Sequence, residues 1–328
     1  MLDAILGSLL PVVVTFLLGF VAAWRSDFRR QDASILNRLV LTYALPPMLF
    51  VGTASTPRAQ LSQSVLLLVA VGVAILGMYA LVFLFSRVVF GVRTGTSALA
   101  ALTASAPAVP FMGPAILGEL FGQSSAIPIA ITALVINLTV VPATILFLTL
   151  DPVQGDSQAK KLDAQDGKPV VPQPAGFSVV AAKLGETVRQ PMVWAPVVGL
   201  AVALSGWHAP GFLLHALSLL GHAAGGVSLF AAGIVLAFGT VRVSWPVMLL
   251  VALKNVVQPA LVLGGLRWLG YGNPLLREAV LATAIPAMPI VVMLALQYRV
   301  PEAVPASALF SSVIGSVITL AIFIVLTS

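Results

Sequence analysis

Runs of about twenty apolar residues, parted by brief polar interruptions, repeat along this chain near 4–24, 35–54, 63–86, 96–118, 126–150, 190–206, 211–238, 245–269, 276–298 and 304–327. A helix that crosses a bilayer needs about 20 such residues. The pattern therefore predicts an all-α polytopic membrane protein with ten transmembrane helices. One polar stretch is long. From Asp151 to about Lys183 the chain carries Lys160, Lys161, Lys168, four aspartates and a Pro-Val-Val-Pro-Gln-Pro run. Such composition buries too little apolar surface to order itself and reads as a flexible linker. The expected organisation is a first five-helix unit over 1–150, a linker over 151–186, and a second five-helix unit over 187–328.

The fourth and ninth spans share an interruption, Pro107-Ala-Val-Pro110 in one and Pro286-Ala-Met-Pro289 in the other. Proline lacks an N–H and crowds the carbonyl four residues back. The carbonyls of Thr103, Ala106, Ala282 and Ile285 are thereby freed. In hydrocarbon, broken backbone persists only when buried in protein or lining a wet cavity. Interrupted spans at matching places in two halves point to a transporter's binding site.

Other positions recur at a nearly constant offset. Pro11 and Gly19 return as Pro191 and Gly199, Leu49-Phe50 as Leu229-Phe230, and Arg87 falls opposite Arg267. Five spans per unit is an odd number, so the second copy enters the membrane inverted. The expected fold is thus a 5+5 inverted repeat, with the fourth and ninth spans broken and their breaks adjacent. Orientation follows from the basic residues. With the N-terminus outside, Arg25, Arg29, Arg30, Arg38, Arg87, Arg93, the linker lysines, Arg189, Arg242 and Arg299 face the cytoplasm, and only Arg58, Arg267 and Arg277 face out. That arrangement satisfies the positive-inside rule. Both termini are expected outside and the linker inside.

Composition agrees: 59% of residues are apolar and 9% charged, and mean hydropathy is +1.06. The net charge of +6 sits at span ends and does not suggest nucleic acid. Without cysteine there is no disulfide framework and no cysteine metal site. The first apolar run is too long for a signal-peptide core and is expected to be retained.

Few polar residues interrupt the spans. Lys254 lies near the centre of the eighth, where lysine costs about 2.5–3.5 kcal/mol even on the lenient insertion scale. Its roles divide between attracting an anion, cycling as a cation in place of sodium, and snorkelling or structural pairing. Gln258 shares its helix face, and Asn255 lies between them. For these amides, interhelical hydrogen bonding competes with ligand contact. Asn137, in the fifth span, falls opposite Ser311-Ser312 and suits either support of the break or substrate contact. His215 and His222 share a face of the seventh span. Interfacial placement explains both, and proton coupling is the competing role for His222. Glu119 and Glu278 stand at the ends of the broken spans, and Gly225-Gly226 and Gly264-Gly265 are expected to permit close helix packing. Pro46-Pro47 either unwinds or kinks the second span. Nothing resembles a metal-ligand cluster, a phosphate loop or a hydrolytic triad, so neither an enzyme nor a bound cofactor is expected.

The stretch Asn37-Arg-Leu-Val-Leu-Thr-Tyr-Ala-Leu-Pro46-Pro-Met-Leu-Phe50, with Pro11…Leu18-Gly19 and Lys254…Pro259, resembles the auxin efflux carrier family. The likeness covers essentially the whole chain and is nearest to short bacterial members described as malonate or malate carriers. It implies ten helices in a 5+5 inverted repeat with crossing broken spans. It also implies a secondary carrier for a small organic anion in the bacterial inner membrane, either a mono- or dicarboxylate such as malonate or malate, or an auxin-like aromatic carboxylate. The residues alone support a transporter with a midplane site. An anion channel would need a continuous polar lining that these spans lack.

The candidate site gathers Thr103, Ser105, Pro107, Pro110, Phe111 and Met112 at the first break, and Thr283, Pro286, Pro289 and Ile290 at the second. Asn137, Lys254 and Gln258 join them, with Lys254 and His222 as coupling candidates. Half-helix N-termini carry unpaired amides and partial positive charge. The amides of Val109, Phe111, Met112, Met288, Ile290 and Val291 are therefore expected to face a carboxylate. The expected partners are the anion and the lipid bilayer, with a homodimer as one option.

Overall fold

The computed structural model describes residues 2–55, 64–151, 191–207, 210–238 and 244–328. The linker expected over 151–186 lies outside these residues apart from Asp151, as do Arg58, Arg189 and Arg242. Every regular element among the described residues is a helix. In chain order they are α1 (Leu2–Trp24), α2 (Gln31–Ala54), α3 (Val65–Val88), α4 (Thr94–Ser105), α5 (Val109–Phe121), α6 (Ala126–Leu150), α7 (Pro191–Ser205), α8 (Gly211–Phe238), α9 (Trp245–Trp268), α10 (Leu275–Ala284), α11 (Ile290–Gln297) and α12 (Ala303–Leu326). Six of them, α2, α3, α6, α8, α9 and α12, are each long and apolar enough to cross a bilayer.

Three of these long helices widen locally to i→i+5 hydrogen bonding, at Leu39–Ala44 in α2, Ile136–Val140 in α6 and Leu253–Val257 in α9. Each wide turn lies just ahead of a proline: Pro46, Pro142 and Pro259. The rings of these prolines are directed at the carbonyls of Thr42, Leu138 and Asn255 respectively, all inside the wide turns. An extra residue per turn relieves that crowding without breaking the helix. Pro46-Pro47 therefore bulges α2 and does not unwind it.

Pro107 and Pro286 do break their helices. The residue before a proline is pushed out of helical geometry. Accordingly Ala106 is extended (φ −92°, ψ 109°) and so is Ile285 (φ −59°, ψ 139°). The chain turns helical again at Val109 and at Ile290. The two extended segments meet as a single antiparallel bridge between Pro107 and Ala287. Ala108 N–H donates to the Pro286 carbonyl at 2.8 Å, and Met288 N–H donates to that of Ala106 at 3.1 Å.

Helices from the two ends of the chain pack together, α1 along α8 and α7 along α2. Glycine permits the approach in both. A Cβ on Gly19 would lie 2.0 Å from the Phe230 carbonyl oxygen, and one on Gly199 would lie 2.0 Å from Thr53 Oγ1 and 2.7 Å from the Phe50 carbonyl. The same sequence offset relates Gly19 to Gly199 and Phe50 to Phe230. Close packing also explains Gly225, whereas Gly226, Gly264 and Gly265 face open space. For those three, the expectation of a packing role is corrected.

Candidate functional site

The wide turn of α9 presents its polar side chains inward, and the paired breaks are fastened to it. Lys254 is fully buried, and its Nζ donates to the Thr283 carbonyl at 2.6 Å and to Gln258 Oε1 at 2.9 Å. Gln258 Nε2 in turn donates to the Ser105 carbonyl at 2.8 Å. Thr283 and Ser105 stand in the last turns of α10 and α4, where carbonyls have no intrahelical partner. Asn255 Nδ2 donates to the Ser312 carbonyl at 2.7 Å, and Ser312 Oγ donates to Asn255 Oδ1 at 2.6 Å. The Ser312 hydroxyl also accepts from Ala287 N–H at 3.0 Å, within the bridge itself. The side chains of Lys254, Asn255, Gln258 and Ser312 all find partners, as a low-dielectric interior demands.

In front of this scaffold lies a cavity of about 790 Å³ between α1, α2, α5, α6 and α8. The first turn of α5, Pro110 to Met112, forms part of its wall, and Asn137 on the wide turn of α6 forms another. Hydroxyls enter from Thr15, Ser55 and Ser218, and the rest of the surface is apolar or glycine. No ionisable side chain lines it among the described residues. A Cβ on Gly225 would lie 2.8 Å from Phe111 Cδ1, so the glycine makes room for the ring against α8. Asn137 is 3% exposed, and its Oδ1 has no hydrogen-bond partner. A buried unpaired amide oxygen costs roughly 1–3 kcal/mol, and this one stands at the cavity wall.

Four of the residues expected at the site therefore reach the cavity: Pro110, Phe111, Met112 and Asn137. Others lie behind it in packed protein. Pro107, Pro286, Pro289 and Ile290 are buried. The hydroxyls of Thr103 and Thr283 are bound to their own helices, at Leu99 O and at Ala279 O and Val280 O. Ser105 is buried with an unpartnered hydroxyl. Lys254 and Gln258 serve the scaffold. Of His222 the backbone alone is described, in α8 beside the lining Gly221, and its side chain lies outside the described set.

The amides expected to face a carboxylate are largely occupied. Phe111 and Met112 donate to the Ala108 carbonyl at 3.0 and 2.8 Å, Met288 donates to Ala106, and Val291 donates to Met288 at 3.4 Å. What α5 offers the cavity is chiefly the positive end of its dipole. Sequence reading missed Thr15, Met48, Ser55 and Ser218. Their residue types are ordinary in apolar helices, and only packing brings the four together.

Interrupted helices paired within a bundle of apolar helices, beside a cavity, are the arrangement of a membrane transport protein. The membrane transport protein family matches residues 4–324. The chain belongs to that family, in keeping with its resemblance to the auxin efflux carriers. It is 29% identical over 327 residues to "Uncharacterized transporter YfdV" of Escherichia coli (strain K12), covering 99% of this chain and 98% of the relative. It is also 26% identical over 324 residues to "Putative malonate transporter" of Rhizobium meliloti (strain 1021), covering 96% and 93%.

Proposed function

We propose that this protein is a secondary active transporter that moves a small organic carboxylate across the bacterial inner membrane by alternating access. In this reading ten spans form a 5+5 inverted repeat. The pairs α4–α5 and α10–α11 are its broken fourth and ninth spans, both termini lie outside, and the linker is cytoplasmic. The equivalent contacts at Gly19 and Gly199 support the repeat.

One observation carries the functional reading: the cavity has the N-terminal turn of a broken half-helix in its wall. The partial positive charge there favours an anionic group. Asn137 adds an amide, and a hydroxyl or a protonated carboxyl on a bound ligand would satisfy its unpaired Oδ1. The malonate named for the Rhizobium relative is one substrate of this class. The lining favours a second as well, because with no formal charge among the described residues and mostly apolar walls it suits a monocarboxylate with an apolar body.

Counterflow in proteoliposomes, with a panel of mono- and dicarboxylates and with imposed ion gradients present or absent, tests both. A carrier gives saturable exchange for one member of the panel. Conductance far above carrier turnover would make the protein a channel, and a panel without any exchange would remove the carboxylate reading.

A further inference from the structure

Lys254 lies in a place where, among the described residues, no acidic side chain answers it. Its side chain is fully buried, no carboxylate acts on it, and its hydrogen bonds go to a backbone carbonyl and an amide oxygen. Both acceptors lead to the same physical feature. Thr283 O belongs to the last turn of α10, and Gln258 passes the contact on to Ser105 O, the last residue of α4. Each half-helix C-terminus concentrates about half a negative charge on carbonyls that lack partners. Two such ends brought together in a dry interior repel each other and call for a cation.

We propose that the Lys254 ammonium is the resident counter-cation of these paired helix ends. It holds the crossover closed with a tethered charge, so the fold around the break needs no bound sodium or potassium. Gln258 acts as the relay, since its amide accepts from the ammonium on one side and donates to the second helix end on the other. Lys254 is thus a positioning residue for the crossover. It lies behind the cavity wall and is absent from the lining.

Thermal unfolding of the purified full-length protein in detergent tests this independently of any transported substrate. The parent should unfold at the same temperature in sodium, potassium and N-methylglucamine chloride at equal ionic strength. Lys254→Ala should unfold several degrees lower and regain much of that loss in propylammonium or sodium chloride. Lys254→Arg, which keeps the charge, should remain indifferent to the cation. Leu250→Ala, a truncation of another buried side chain on the same helix, should lose stability that no cation restores. Lys254→Gln keeps a hydrogen-bond donor without the charge, and it carries the test if the alanine variant fails to fold. It should unfold below the parent and respond to sodium. The inference is overturned if Lys254→Gln matches the parent in stability and cation indifference. It is equally overturned if sodium stabilises the parent, or if neither amine nor alkali cation lifts the folded alanine variant.

Discussion

Gln258 and Asn137 are both buried amides, yet their hydrogen bonding sets them apart. Gln258 uses both ends, accepting from Lys254 and donating to Ser105. Gln258→Leu should leave a buried carbonyl and an ammonium each short of a partner, at about 1–3 kcal/mol for each group. A fall in the unfolding midpoint of the detergent-solubilised protein measures it. Asn137 leaves Oδ1 unpaired beside the cavity. Asn137→Leu should therefore cost no stability and still weaken carboxylate exchange severalfold. A variant that exchanges as well as the parent would remove Asn137 from the site. At this scale Lys254 was legible from sequence as an expensive residue at mid-span. The helix ends it serves were not, because Thr283 lies on another helix, and Ser105, which accepts from Gln258, on a third.

The elements turn on where proline stands relative to a helix. Pro46, Pro142 and Pro259 follow wide turns and leave their helices continuous. Pro107 and Pro286 end theirs, because Ala106 and Ile285 are held extended ahead of them. Pro110 and Pro289 sit instead within the opening turn or cap of the helices that follow, where the missing N–H costs little. Alanine therefore restores helix most readily at Pro107 and Pro286, the members of each pair that end a helix. Pro107→Ala and Pro286→Ala should lower exchange more than Pro110→Ala or Pro289→Ala. Equal rates across all four in proteoliposomes would show that the cross-bridge alone maintains the break. Proline pairs were plain in the sequence. Which of each pair breaks and which starts a helix depended on the hydrogen bonds across to the other segment.

At the scale of the whole molecule, α1 on α8 and α7 on α2 are among the contacts that join the chain's two ends. Gly19 faces backbone that no rotamer change can move, whereas Gly199 faces first the Thr53 hydroxyl. Gly19→Ala should therefore lower the unfolding midpoint more than Gly199→Ala, and both more than Gly72→Ala, which meets open space. The proposed orientation has its own check, made clean by a chain without cysteine. A cysteine at Arg93 should react with an impermeant reagent only from the cytoplasmic side, and one at Ser328 only from outside. Labelling with the opposite sidedness would invert the topology.

The membrane class, the positions of the apolar helices, the paired breaks and the anomalous lysine were all determined by the sequence by itself. Each rests on the cost of a local residue type in hydrocarbon, and that cost needs no partner to be recognised. Tertiary structure alone decided that Pro107 meets Ala287 and that the cavity wall takes only one of the two half-helix starts. It also decided that Lys254 turns to helix ends behind that wall. Those outcomes depend on which carbonyls and amides from distant helices come within bonding distance. Nothing in the spacing along a single span encodes that meeting.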